Sequence, residues 1–500
     1  MACLAGSLLK QQSARGLLHN QITFGGTRGS KRMSKQQSNA NCGSSSAAEV
    51  RRTLSCFMPD LVPFWARPLS DYAQAVYRAE SVRSESLHRQ DAAARFRRFI
   101  ERIALRSGAD QADAEDASRQ LAVSPVIQTG PHCHLLIEPD AFYTHLFSML
   151  GLTSNAHRWH ICYSASTVKF VEKAKKGPGW LRLEGDAVNV FGLSRRRMDP
   201  YSICGFDGPY RFALSSAQGG EPVNTAAARL KAILPDMEFS SAAEAIKAAN
   251  LALWRRSFSP SVGLLQFDDI DVADLVAEHF EDPASWLSTR LAGGQCAQKL
   301  LRTLDRLNGG PWAGWIRQTT EFFWGLADGR IFPVRLKDGV LSGGSSPAFH
   351  VPFEPQSIAA ALRQRKLVPN LLLTFLVISI LPGIRVLGGC RQTVYYPLMR
   401  YLVATALECS DDSGLLDTLR ADVRPGVWGH RVLRPDDGYP FREFEECGEM
   451  SELAAHYGNC SLEEASGNLF SFASDPFWAE LAAHIRARRI HPASPEWQWA

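Results

Sequence analysis

No Cys-x-x-Cys pair occurs among the 11 cysteines of this 500-residue sequence. Their number is odd and their spacing scattered, which argues against a disulfide framework and for a reducing cytoplasmic compartment. Long apolar runs are also missing. The most apolar segment, Leu371–Leu381, is far short of the roughly 20 residues a bilayer needs, so it is expected as a buried core segment without a membrane partner. No Gly-x-Ser-x-Gly elbow, Walker A loop, His-Glu-x-x-His helix or Gly-x-Gly-x-x-Gly fingerprint is present. Hydrolase-triad, P-loop, zincin and ordinary dinucleotide-dehydrogenase chemistries therefore lack their usual carriers. Lysine is scarce, 12 of 55 basic residues, and the net charge is only +4. That balance excludes a protein whose main task is coating nucleic acid, while the arginines suit fork-shaped anion contacts.

Acidic residues are absent before Glu49, where Lys10, Arg15, Arg28, Lys31, Arg32 and Lys35 stand among Ser, Gly, Gln and Asn. Residues 1–50 are expected to be a disordered tail, since they offer little apolar surface to offset chain entropy. Three origins stay open: an organelle transit peptide, a flexible tail, or an over-extended start in a GC-rich bacterial gene, with Met33 as the true beginning. Without the tail's net +5, the remaining chain carries 4 − 5 = −1.

Periodicity divides the rest. Helical spacing runs through 69–79 and 88–105, and LAVSPVIQ (121–128) suits a buried strand. A sharp loop, Thr129–His134, then leads into a helix opened by Pro139-Asp140. RWHICYSASTVKFVEK and GWLRLEGDAVNVFGL read as strands, and helices dominate 224–307. Asp328-Gly329 and Asp338-Gly339 are hairpin turns. Ile384–Leu387 is a strand running into Gly388-Gly389, followed by a helix with Pro397 inside it. The expected fold is α/β: a Rossmann-like, mostly parallel and discontinuous sheet core with a helical insertion and an appended C-terminal region. The boundaries are 51–215 for the first half of the core with N-terminal helices, 216–310 for the insertion, 311–408 for the second half and 409–500 for the appendage.

Both strand–turn–helix junctions are candidate ligand sites, because backbone N–H groups at strand ends and helix starts favour phosphate or carboxylate. At the first, Thr129 and Gly130 would cradle the anion, and His132 or His134 would act as acid/base or charge stabiliser. At the second, Gly388 and Gly389 allow close backbone approach, Arg391 and Arg385 would clamp anions, and Gln392 and Tyr395 would orient substrate; Asn370 is added as a binding residue. His132, Cys133 and His134, with His157, His160 and Cys162 further on, also raise a metal reading. No established ligand spacing is met, so no metal site and no zinc are expected. Asp268, Asp269, Asp271 and Asp274 are expected as helix N-terminal charge, a divalent-metal site being the minority view. Arg195–Arg197 is expected as a solvated run.

Thr129-Gly130-Pro131-His132 partly resembles the T-x-G-H loop of nucleotidyltransferases. More extensively, VIQTGPHCHLLIEPDAFY (126–143) resembles a segment of the bacillithiol-biosynthesis cysteine-adding enzymes in its strand, Thr129-Gly130 and Tyr143. LVPNLLLTFLVISILPGIRVLGGCRQTVYYPLM (367–399) is similar to their later block in Pro369-Asn370, Leu371-Leu372, Leu381-Pro382, Gly388-Gly389 and Tyr395. The resemblance implies a Rossmann-like core, a nucleotide site and cysteine ligation to an amino-sugar conjugate. The family's acidic stretch after the first helix has RWHICYSASTVKF here, so a diverged relative in another pathway is expected. The expectation is thus a cytoplasmic, ligase-like enzyme joining an amino acid to a small amine, with ATP and Mg as cofactors and a small molecule as its partner. The alternatives are a metal-dependent tailoring enzyme using His132, Cys133 and His134, and a non-catalytic binding protein that kept the fold. Oligomeric state is left open.

Overall fold

A computed structural model describes residues 47–78, 84–172, 175–222, 224–258, 261–293, 295–343, 349–408, 410, 412–422, 425–436, 438–446, 450–491 and 493–499. The expected tail lies outside the described residues as far as 46, and 47–57 already form a helix. From Ser46 onward the chain forms one compact unit.

Its centre is a five-stranded, all-parallel sheet, as expected for an α/β fold. The strands are β1 (Val126–Gln128), β2 (Trp159–Tyr163), β3 (Gly263–Phe267), β4 (Arg385–Gly388) and β5 (Gly426–Trp428), in spatial order β5-β4-β1-β2-β3. Ile127 pairs with Val386, Gln128 with Cys162, His160 with Leu264 and Val386 with Gly426. Every residue of β1 and β2 is buried, the continuous burial of a strand covered by helices on both faces. The chain runs outward from β1 to β3, then returns to lay β4 against the other side of β1. Strand order therefore reverses between β1 and β4.

The helix Pro139–Ser154 follows β1. Glu138 caps it through the N–H of Ala141 at 3.2 Å, and its residues Ala141–Leu152 are all buried. The helix Gln392–Leu407 follows β4, carries Pro397 inside it and is nearly all buried. Leu371–Leu381 is the core segment expected, a helix Leu371–Phe375 passing into a π-helical turn Leu376–Ile380. Two antiparallel sheets interrupt the parallel core. Trp180–Leu183, Asp186–Asn189 and Ser215–Ser216 lie between β2 and β3; Phe323–Ala327, Arg330–Lys337, Val340–Gly343, His350–Pro352 and Leu367–Pro369 lie between β3 and β4. Asp328-Gly329 and Asp338-Gly339 both have positive φ, the backbone of two-residue hairpin turns.

Three expected boundaries change. The segment 216–310 is not only a helical insertion, for it supplies β3 and the helices Ala242–Ser257 and Asp269–Glu281 on either side of it. The segment 409–500 is not only an appendage, since β5 belongs to it. LAVSPVIQ is strand only at its end, because the helix Gln111–Val123 claims its first three residues. In each case a short apolar run looks alike in a buried helix and a buried strand. Among the described residues no helix is long and apolar enough to cross a membrane, and no disulfide occurs.

Candidate functional site at the reversal of strand order

In open parallel sheets ligands bind outside the C-terminal strand ends where strand order reverses. Here that place lies between the turn after β1 and the turn after β4. The N–H of Thr129 donates to Leu387 O at 2.8 Å, tying the turns together. Gln392 completes the tie: its Nε2 reaches Thr129 Oγ1 at 2.8 Å, its Oε1 accepts from the Tyr395 hydroxyl at 3.0 Å, and its side chain covers Gly388. Thr129, Gly130, Gly388, Gly389, Gln392 and Tyr395 are thus brought together. Among the described residues the N–H groups of Gly130, Gly389 and Cys390 have no hydrogen-bond acceptor. Gly130 is buried and Gly389 and Cys390 are half-buried, and an anion bound there would give these donors a partner.

Sequence reasoning missed the residue at the centre. His430 follows β5, its backbone N–H held by Gly388 O at 2.9 Å. A Cβ on Gly130 would lie 2.9 Å from its Cγ, and one on Gly389 would lie 3.3 Å from its Cδ2. Side chains at either glycine would meet this ring. Its Nδ1 lies 2.7 Å from Thr144 Oγ1, and Thr144 donates its one proton to Asp140 O at 2.7 Å. When that proton goes to Asp140 O, Nδ1 donates to Thr144 Oγ1 and the lone pair lies on Nε2. Burial, and then the charge of Arg431, push the imidazole well below its usual pKa, so it is neutral at pH 7. Among the described residues Nε2 has no hydrogen-bond partner. Beside it Arg431 and Lys176 pair with Asp140, Lys176 at 3.2 Å. Burial alone would raise the Asp140 carboxyl, but Arg431 and Lys176 outweigh it and hold it down to about 2.

His132 and His134 stand at the rim, both facing Glu172 at 2.6 and 3.5 Å. Burial opposes ionisation of Glu172, yet its hydrogen bonds to the two histidines prevail and keep it well below the usual carboxylate range. Cys133 points the other way, its buried thiol 4.0 Å from Ala243 O, so the His132/Cys133/His134 trio of the alternative metal reading is not one cluster. A separate buried group joins His145 Nδ1 to His160 Nε2 at 2.9 Å, with the Cys162 sulfur within 4.8 Å of both. Burial pushes His145 down to about 4 and the Cys162 thiol up to about 12. His160 is stacked on Trp254, 5.3 Å between centroids.

Three expected site residues are placed elsewhere. Arg385 begins β4, at the end opposite Gly388, and donates to Val76 O at 3.0 Å. Arg391 is held by Asp475 at 2.5 and 2.9 Å and lies over Phe477. Asn370 caps the helix Leu371–Phe375 through the N–H of Leu373 at 3.0 Å. The acidic cluster has its bland role: Asp268 and Asp271 form a capping box and share Lys247, while Asp269 accepts from Tyr163 and the N–H groups of Ser166 and Thr167. A cavity of about 330 Å³ lies beside β3 and is lined by Arg106, Glu244, Lys247 and Asp271. Its cations Lys247 and Arg106 are already paired, so it is a weaker candidate than the crevice.

No protein-family model and no curated protein matches the chain. The signal for His430 was nevertheless in the sequence. Gly429-His430 directly follows a short apolar strand, as Thr129-Gly130 and Gly388-Gly389 do. Glu172, Thr144 and Arg431 carry no comparable pattern.

Proposed function

We propose that the chain is a Rossmann-like, ligase-type enzyme that holds an anionic small molecule between the turns after β1 and β4. Its reaction would join an amino acid to a small amine by an amide bond, with the acyl group activated by a nucleotide. The supporting observation is His430, a neutral imidazole whose Nε2 has no partner among the described residues, set between two glycine turns whose N–H donors have no acceptor there. The strand order, two units running apart from β1 and β4, is the one on which dinucleotide- and nucleotide-binding crevices are built.

In this reaction the attacking amine loses its proton to Nε2 of His430 as the carbon–nitrogen bond forms and the acyl–oxygen bond to the activating phosphate breaks, the phosphate leaving with the electron pair. Thr144 keeps the ring in the required tautomer, and the N–H groups of Gly130, Gly389 and Cys390 hold the negative charge that builds on oxygen. Phosphate oxygens of ATP fit those donors. Magnesium fits less well, because the Asp140 carboxylate is held by Arg431 and Lys176, and Glu172 stands beside two imidazoles, which suit softer ions. No step is assigned to the ion.

Purified full-length chain, screened with ATP and amino-acid/amine pairs, should show ATP-dependent condensation. His430→Gln should lower its rate by roughly 100-fold or more with the melting temperature nearly kept. No thermal shift with any nucleotide, or an unaffected rate in the variant, would sink the proposal.

A further inference from the structure

We infer that His132, His134 and Glu172 form an open site for a first-row divalent metal ion of the Zn²⁺ or Fe²⁺ class. This stands apart from the amide-forming reading, because it rests on three side chains at the rim and not on the glycine turns.

Two imidazoles and one carboxylate are the ligand set that zinc hydrolases and non-haem iron enzymes share, with positions left open for substrate or water. The ligand atoms here all lie within 4.8 Å of one another. Metal bonds of about 2.0–2.2 Å place ligand atoms roughly 3.0–3.5 Å apart. The present separations from Glu172 Oε1, 2.6 Å to His132 and 3.5 Å to His134, straddle that range. Side-chain shifts of under about an ångström bring both Glu172 separations into it, and the two imidazole nitrogens, within 4.8 Å of each other, close by up to roughly 1.3 Å.

The backbone explains why the two histidines cooperate. A tight turn at Cys133, closed by His134 N–H donating to His132 O at 2.7 Å, brings both imidazoles to Glu172 while the Cys133 thiol turns into the core. That segment is anchored: Cys133 N–H donates to Ala165 O at 2.9 Å, and Asn250 Nδ2 donates to His134 O at 2.8 Å. The rings are nearly parallel, with an interplanar angle of 12°. Exposure then separates this cluster from the buried one. The His132, His134 and Glu172 side chains are 53%, 7% and 28% exposed, so an ion has a fixed inner ligand and an open outer face. His145, His160 and Cys162 are all buried, and their one mutual hydrogen bond leaves His160 Nδ1 without a partner among the described residues, so that cluster offers an ion no open face.

The full chain, stripped with a chelator, is titrated with Zn²⁺, with Fe²⁺ under anaerobic conditions, and with Co²⁺ as a coloured probe. One equivalent should bind, and competition between Zn²⁺ and Fe²⁺ identifies the preferred ion. His132→Ala and Glu172→Gln should each weaken binding by roughly tenfold or more, while His157→Ala should not. Thermal melts of the variants establish that they are folded; His132 is exposed enough for its loss to be tolerated. Uptake below one equivalent, affinity unchanged in folded Glu172→Gln, or affinity lost in Cys162→Ser instead would each overturn the inference. The titration reads binding alone, so its result is independent of any condensation assay.

Discussion

Replacing Gly130 by alanine sets a methyl group 2.9 Å from Cγ and 3.1 Å from Cβ of His430. Ordinary carbon contacts begin near 3.5 Å, so the ring must retreat by roughly half an ångström. It cannot do so freely, since Thr144 holds Nδ1 at 2.7 Å and Gly388 O holds the backbone N–H at 2.9 Å. Overpacking of this kind costs about 1–3 kcal/mol. Against it stands the loss of unfolded-chain entropy on changing Gly to Ala, a gain of about 0.4–1 kcal/mol. Gly389→Ala provides the control. Its methyl meets only His430 Cδ2, at 3.3 Å, a milder crowding that a shift of a few tenths of an ångström relieves, while the unfolded-state gain is of similar size. That gain cancels in the comparison, leaving Gly130→Ala less stable than Gly389→Ala by about 1–3 kcal/mol. Urea unfolding of both variants at pH 7 measures the difference. Equal stabilities, or the reverse order, would refute the placement of His430 between the two turns.

Two further outcomes follow from buried and surface charges. His279 is buried with neither ring nitrogen hydrogen-bonded among the described residues, and burial, then the charge of Arg95, hold its pKa down to about 4. The unfolded chain takes up this proton near pH 6.5, so stability present above that pH falls as pH drops to about 4, by roughly 3 kcal/mol. His279→Leu should hold or raise stability at pH 7 by about 1–2 kcal/mol and flatten the acid slope, read by denaturation at pH 7 and pH 4.5; an unchanged slope would contradict it. Arg391→Ala should lose about 1 kcal/mol with the Asp475 pair and the Phe477 stacking, yet leave the nucleotide thermal shift intact. A lost shift at unchanged stability would return Arg391 to the ligand.

Where the sequence signal was local, it carried through. The positive-φ turns at Asp328-Gly329 and Asp338-Gly339, the buried Leu371–Leu381 and the strand–glycine–helix junctions at Gly130 and Gly388 all appear in place. Arg385 and Arg391 misled because an arginine near a turn says nothing of its partner. Val76 and Asp475, from distant parts of the chain, claim them. Glu172 was invisible for the same reason, being linked to His132 across 40 residues.

Chain composition and periodicity by themselves determined that this is an α/β protein with two glycine-bearing turns at the ends of buried strands. Those features depend on neighbours a few residues apart, and local sterics dictate them. Only the tertiary structure decided that β3 and β5 join the sheet, that strand order reverses between β1 and β4, and that Thr144 meets His430 across 286 residues. Strand order is settled by which apolar faces bury one another over the whole chain. A three-residue strand such as β5 carries too little pattern to announce where it will pair.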